Sequence, residues 1–558
     1  MLIDQYCFEE KRKALWVALG AAILLVVSGG CFFVSSGRDD VHIVYYVVDT
    51  LYETGRIANI NDESFQQATS NLFVVVLAMA KWLLGGLNTA TLAPIFSVTC
   101  AIAAVGFAMA LRPQTAAATA ILLSINVSFV YWAFSGMEAA LVALLVCIFL
   151  WCLARSLHGK SAGALLAAAT ALLTVGRPEF FLVITAFLSG YIALVWIFGG
   201  SELLGVTNHK RIIAVICLSS AISFGFFLLF NYWHSGYIFP LPVHAKAQGF
   251  SVTRILEGGT YVVTSLKENL ALGVLMIGLY ASAIKVVASK RGWSGDAFFR
   301  LLVAGFFSCY LLFIIFAGGV WMEGGRFLVP IIPLACAYGV MDYRSVLTRR
   351  VLLVVLLGLS IWSLSSFAKH GSTGMPIWRA VEAQVNLEPP SIDRYSWFEY
   401  TNRVHLRDIR FIEGARKRLE PYLTGRNQAA LMSMQMGMVP YHFKQLFGEK
   451  LEFIDVRALA TDHFLKCKHT GALKRNHGGL ELDYPYYFEH LDEIARDCGI
   501  EPPLFIYDLG GPGSDRVKFI EAQGYEILYQ EAGVLDGPGG FVAADQFLAV
   551  RKSGLSSM

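Results

Sequence analysis

Two adjacent carboxylates, Asp39 and Asp40, sit in Gly37-Arg38-Asp39-Asp40-Val41-His42. Two acids buried side by side repel, so one tends to keep its proton while the other acts as base or ligand. Acids beside an apolar run are more often solvated flanks, and the pair alone is weak evidence. Four more polar groups follow. Ser135-Gly136-Met137-Glu138 opens an apolar run, where a helix start and its dipole account for Ser, Gly and Glu. Gly176-Arg177-Pro178-Glu179 is an ordinary helix start by its Pro and Glu, but an arginine at membrane level needs a partner. Asn231-Tyr232-Trp233-His234 and Pro240-Leu241-Pro242-Val243-His244-Ala245-Lys246 combine interface-type aromatics with two donors suited to an anionic phosphate. Gly318-Gly319-Val320-Trp321-Met322-Glu323-Gly324-Gly325-Arg326 packs four glycines around Trp321, Glu323 and Arg326, which implies close backbone approach and a shaped loop. Arg326 has the fork to hold a phosphate or a carboxylate.

These residues are carried by a chain that belongs in a bilayer. Of its 558 residues 56% are hydrophobic, too apolar for a soluble chain of this length. The formal net charge of +3 gives no reason to expect a nucleic-acid partner. Eight of the ten cysteines are scattered in or just before the apolar part without metal spacing and read as small buried residues. The start, Lys11-Arg12-Lys13 followed by an apolar run to Val34, reads as an uncleaved signal anchor. Apolar segments at 14–35, 91–111, 116–133, 137–155, 161–176, 179–198, 211–231, 268–287, 298–317, 327–342 and 350–367 give about eleven transmembrane helices. Leu72–Leu84 is short and contains Lys81, so it reads as an interfacial or re-entrant helix.

Charge bias sets the topology. With the N-terminus in the cytoplasm, that side receives Lys11-Arg12-Lys13, Arg112, Arg155 with Lys160, Lys210-Arg211, Lys285 with Lys290-Arg291, and Arg344 with Arg349-Arg350. Treating Leu72–Leu84 as a span would invert most of those loops. The basic clusters that fix this topology are not the motifs described above, yet every motif then falls on the outer face. So does the tail from 370 to 558, which has ordinary globular composition. Its apolar runs Leu451–Val456, Pro503–Asp508 and Phe541–Val550, the helical stretch Val517–Gln523 and two Gly-rich turns predict a C-terminal soluble α/β domain. The domain division expected is 1–369, a transmembrane catalytic domain with outer loop 36–70 and interfacial helix 72–84, and 370–558, an extracytoplasmic domain. An acid pair, phosphate-type donors and aromatic rings gathered on one face suit a sugar linked to a lipid phosphate.

The same residues resemble a family. The chain is similar to bacterial GT-C membrane glycosyltransferases, in the branch around the mycobacterial terminal arabinofuranosyltransferase and its proteobacterial relatives. The likeness runs through Asp39-Asp40-Val41-His42-Ile43, Thr54–Asn59, Ala68–Leu72, Ser135–Glu138, Arg177–Glu179, Ser235–Lys246 and Gly318–Phe327. It continues in the tail at Met438-Val439-Pro440-Tyr441 and Phe453–Asp462. One departure removes a carboxylate: Val320 stands where the family has Asp. Asn71 lacks the Pro that usually follows, and Ala460 departs from the tail motif.

The resemblance implies a polytopic α-helical membrane protein of GT-C type that uses a polyprenyl-phosphate-linked sugar donor, with D-arabinofuranose as the sugar, in a bacterial inner membrane. The acceptor would be a surface glycan or a protein, and membrane lipids are the remaining partner. Asp40 or Asp39 would take the acceptor proton, Asp40 being favoured as the deeper in its loop. Arg177, His244, Lys246 and Arg326 would stabilise the lipid-phosphate leaving group. Tyr232 and Trp321 would stack on sugar, with Glu138, Glu179 and Glu323 as further sugar or acceptor contacts. A divalent cation at Asp39-Asp40 fits the residue types, though no spacing demands one. Cys467 and Cys498, facing an oxidising compartment, are a candidate disulfide. Two other classes remain open: transfer of a hexose to lipopolysaccharide, and a lipid-linked sugar transporter or flippase. A transporter would show charges inside its spans and paired repeats, and neither is present in the sequence.

Overall fold

A computed structural model of the protein describes residues 2–32, 39–64, 67–160, 162–197, 208–246, 251–288, 295–319, 324–340, 346–370, 397–457, 460–461, 463–466, 473–476, 479–533 and 544–552. The chain forms two compact units, each assembled from three stretches. One holds Met1–Val34, Ala93–Phe227 and Phe250–Pro390; the other holds Ser35–Leu92, Leu228–Gly249 and Ser391–Met558. The division expected at residue 370 follows chain order, whereas these units follow contact.

Along the chain the helices are α1 (Leu2–Phe32), α2 (Asp39–Thr54), α3 (Asn71–Leu83), α4 (Thr89–Leu111), α5 (Ala116–Ser124), α6 (Val127–Ala133), α7 (Ala139–Leu157) and α8 (Gly163–Gly176). Then come α9 (Phe180–Ile197), α10 (His209–Ser235), α11 (Leu241–Lys246), α12 (Val252–Glu268), α13 (Leu270–Ala288), α14 (Gly295–Ala317), α15 (Ile332–Tyr338) and α16 (Val346–His370). The tail adds α17 (Trp397–Leu423), α18 (Met438–Phe447), α19 (His463–Lys466), α20 (Tyr484–Glu489), α21 (Leu491–Cys498) and α22 (Asp515–Ala522).

Among the described residues seven helices are long and apolar enough to cross a membrane: α4, α7, α9, α10, α13, α14 and the Arg350–Phe367 part of α16. An eighth candidate is broken, Pro113–Ser124 and Val127–Ala133 meeting at 65°. The expected segments at 14–35, 161–176 and 327–342 are present as the shorter apolar helices Leu15–Gly30, Gly163–Gly176 and Arg326–Tyr338. The break in 116–133 has a local cause. Asn126 leaves the helical region and its side chain accepts from the Phe129 amide, starting α6 afresh.

The first unit is held by aromatic and close backbone packing. Phe180 stacks on Tyr310 at 5.1 Å, and Phe306 lies against Phe149 and Phe187 at 5.7 and 5.6 Å. Gly258 brings α12 onto the backbone of Ile315, and Gly278 brings α13 onto Gly339; a Cβ at either would fall 2.2 or 2.0 Å from a carbonyl oxygen. Buried hydroxyls within helices are satisfied locally, as Thr170 donates to the Leu166 carbonyl and Thr174 to that of Thr170.

In the second unit the tail builds a five-stranded sheet from β1 (Ala429–Ser433), β2 (Leu451–Asp455), β5 (Phe505–Leu509), β6 (Tyr525–Glu531) and β7 (Gln546–Arg551), in the order β2-β1-β5-β7-β6. A separate hairpin joins β3 (Leu473–Asn476) to β4 (Gly479–Leu482). β1 is parallel to β2 and β5, while β7 is antiparallel to β5 and β6. One face of the sheet, with Met432, Ile454, Ile506, Phe547 and Ala549, is buried with Ile494, Val517 and Ile520. On α17, Phe411 lies 5.1 Å from the ring of Tyr507. The expected α/β tail is therefore present. The strands β1 and β6 and the β3–β4 hairpin were not read from sequence.

Candidate active site

In the first unit the Ser-Gly-Met-Glu motif is a shaped turn. Ser135 donates to the Trp132 carbonyl at 2.8 Å and accepts from the Met137 amide, and Gly136 is left-handed at φ 72. The Met137 carbonyl is tied to Ser97 at 2.9 Å. This delivers Glu138, 3% exposed, to the head of α7. There Glu138 Oε1 accepts from Arg177 and from Arg326, each at 2.7 Å. Arg177 also pairs with Glu179 at 2.7 Å. Among the described residues, two acids and two arginines thus form one largely buried chain of ion pairs. Burying a charge is costly unless it is paired and hydrogen-bonded, which explains why none stands alone.

The Gly-rich loop before α15 aims Arg326. Gly324 and Gly325 have φ of 70 and 62, and a Cβ on Gly324 would meet Tyr131, Phe367 and Trp132. Three side chains hold the turn. Trp132 Nε1 donates to the Gly324 carbonyl at 3.0 Å, the Gly324 amide donates to Glu268 at 3.2 Å, and the Phe327 amide donates to Tyr261 at 2.9 Å. The Arg326 guanidinium then lies 5.6 Å from the Trp132 ring centroid, within cation–π range.

The second unit holds the acid-bearing helix. Asp39 and Asp40 open α2, and Asp40 is half-buried; the Asp39 side chain lies outside the described residues. Three turns on, Asp49 receives Lys81 at 2.7 Å and Tyr441 at 2.6 Å, and also binds Thr89. Lys81 is 7% exposed although its neighbours on α3 include Met79 and Trp82 at 59% and 73%. The lysine that interrupts this apolar helix is therefore turned inward onto a carboxylate while the apolar face stays open. Ser70 starts the helix by accepting from the Phe73 amide. His244, on the short α11, is half-buried between Tyr237 and Phe239, at 5.2 and 6.4 Å. Tyr232 is 61% exposed at the end of α10.

The structure thus joins Glu138, Arg177, Glu179 and Arg326, which the sequence placed in three separate loops. Asp40, Tyr232 and His244 belong to the other unit. The Lys246 side chain, Trp321, Glu323 and Cys467 lie outside the described residues. Cys498 is disulfide-bonded. Among the described residues no group of three or more His, Cys, Asp or Glu is arranged to hold a metal ion. Sequence reading missed Asp49, Glu268, Tyr261 and Trp132. Lys81 was the available signal for Asp49, since a lysine inside an apolar helix demands a partner. Glu268 sits where a helix end and an apolar run meet and gave no such signal.

No protein-family model matches the chain, and no curated protein matches it. Solved structures do match. ArnT from Cupriavidus metallidurans bound to undecaprenyl phosphate aligns with a TM-score of 0.55 and 11% identity, over 96% of this chain and 97% of that one. Its apo state gives 0.54 and 13%, over 97% and 98%. The archaeal oligosaccharyltransferase AglB from Archaeoglobus fulgidus, in complex with an inhibitory peptide and a dolichol-phosphate, gives 0.53 and 10%, over 96% and 74%. At such identities the likeness is one of fold. The chain has the fold of the GT-C membrane glycosyltransferases, a multi-pass helical membrane protein with a C-terminal α/β domain.

Proposed function

We propose that this protein transfers a sugar, D-arabinofuranose, from a polyprenyl-phosphate donor to an acceptor at the outer face of the cytoplasmic membrane. The observation that carries the reading is the near full-length likeness to a structure that holds undecaprenyl phosphate. The fold likeness to a protein with dolichol-phosphate and a peptide bound supports a lipid-linked donor and a separate acceptor. The choice of arabinofuranose rests on the motif series from Asp39-Asp40 to Gly318–Phe327.

Asp40, exposed enough to meet an acceptor hydroxyl, takes its proton as the acceptor oxygen bonds to the anomeric carbon. The bond from that carbon to the phosphate oxygen breaks, and polyprenyl phosphate leaves with the electron pair. Arg326, His244 and Lys246 are the cations assigned to that developing charge. Arg177, gripped by Glu138 and Glu179, acts through Glu138 by holding it against Arg326. Tyr232, Trp321, Glu179 and Glu323 are assigned to sugar and acceptor.

Purified protein should release polyprenyl phosphate from a synthetic polyprenyl-phosphoryl arabinofuranose and transfer the sugar, and Asp40→Asn should stop this in a folded protein. Turnover only of a hexose-linked lipid would overturn the sugar and keep the reaction class. No turnover of any lipid-linked sugar, with movement of the lipid across vesicles, would favour a flippase. A chelator arm decides whether a divalent ion serves Asp39-Asp40.

A further inference from the structure

The loop and helix that carry the acid pair are fastened to the C-terminal domain at three points. On α2, His42, Tyr46 and Asp49 recur at four and three residues, so they share one face of the helix. On α18, Tyr441 and Lys444 are three apart and likewise share a face. The two faces are cross-linked. Tyr441 donates to Asp49 at 2.6 Å, and the His42 ring lies 5.5 Å from that of Tyr441. Asp62, in the loop after α2, accepts from Tyr46 at 2.7 Å and pairs with Lys444 at 2.8 Å, so one carboxylate bridges both helices. His42, Tyr46, Tyr441 and Lys444 are all buried, at 3%, 8%, 3% and 9% exposure.

The third point is a sheet edge. β2 lies at the edge of the five-stranded sheet. Such an edge presents backbone groups without strand partners. Asn61 supplies both, its side-chain amide donating to the Phe453 carbonyl at 2.9 Å and accepting from the Phe453 amide at 2.8 Å. The loop is built to do this. Asn59 accepts from the amides of Asn61 and Glu63, both at 3.0 Å, and Asp62 takes φ 63, the one left-handed non-glycine among the described residues. A strained residue whose carboxylate joins two elements is a place where conformation is set by tertiary contacts.

We propose that the C-terminal domain positions the acid-bearing helix, with Asn61, Asp62, Tyr441 and Lys444 as positioning residues that act on Asp40 through α2. The tail is then a part of the active enzyme's geometry. This inference rests on the reading of Asp40 as the base.

The test uses the full chain purified in detergent, with Lys444→Met, Asn61→Ala and the conservative Lys444→Arg. Hydrogen exchange is followed over α2, α18 and α7, and transfer is followed with polyprenyl-phosphoryl arabinofuranose. Lys444→Met and Asn61→Ala should each speed exchange in α2 by about tenfold while α7 keeps its protection. They should lower kcat on the order of tenfold to a hundredfold with KM for the donor lipid unchanged. Lys444→Arg should restore both. Unchanged exchange in α2 overturns the clamp. Faster exchange with unchanged kcat overturns its role in positioning Asp40. A parent protein that turns over no lipid-linked sugar overturns the proposed function instead, and the exchange measurement then still judges the clamp.

Discussion

Glu138 is the residue on which the first unit's charges converge. It carries two guanidiniums on one oxygen, and Arg177 in turn carries two carboxylates. Removing the Glu138 charge takes a carboxylate from two guanidiniums at once, and breaking a buried pair in this way costs about 3–5 kcal/mol. Glu138→Gln is therefore expected to lower the unfolding midpoint in detergent clearly, and Glu179→Gln to do less, because the Glu179 side chain is 18% exposed against 4% for Glu138. Equal midpoints for Glu138→Gln and the parent would show that the network carries no stability. In the tail, burial pushes the Asp508 carboxyl up, with Arg516 opposing. A raised acid binds its proton more tightly folded than unfolded, so stability falls as pH rises through the folded pKa. Asp508→Asn should thus slow exchange in 505–522 at neutral pH and lose that advantage in acid. A gain that is the same at both pH values would locate its cause elsewhere.

At the scale of elements, two adjacent glycines on α12 should behave oppositely. Gly258 sits against the Ile315 backbone, while a Cβ on Gly259 meets nothing within 4 Å. Gly258→Ala forces the helices apart and should cost about 1–3 kcal/mol or more. Gly259→Ala should be neutral or stabilise by up to about 1 kcal/mol, since alanine is the better helix former. Thermal unfolding of the two variants in detergent checks this, and equal midpoints would mean that α12 and α14 do not approach as closely as described. Periodicity made most helices legible, but this pairing was not, because a glycine's role depends on which neighbour crosses it. The break at Asn126 was hidden for a related reason. Its flanks are mostly apolar, and only the N-cap geometry shows that one expected span is two helices.

For the whole molecule, the charge bias predicts that the basic clusters and the tail lie on opposite faces of the membrane. Lys518, on α22, and His158, after α7, are both exposed and so report on the two sides. Lys518→Cys should label with an impermeant maleimide in intact cells above the parent background, and His158→Cys only after permeabilisation. The reverse pattern would invert the topology and move every candidate catalytic residue to the cytoplasmic face.

Composition and apolar run length alone determined that this is a membrane chain with a globular tail, since about 20 apolar residues have few other uses. Motif order alone pointed to lipid-linked sugar chemistry and to Asp40, Glu138 and Arg326. Only the tertiary structure decided which charges meet. Glu138 and Arg326 are 188 residues apart, and Asp49 and Tyr441 are 392 apart. No local pattern encodes such pairs, because the low dielectric that makes them necessary arises only once the chain has folded around them.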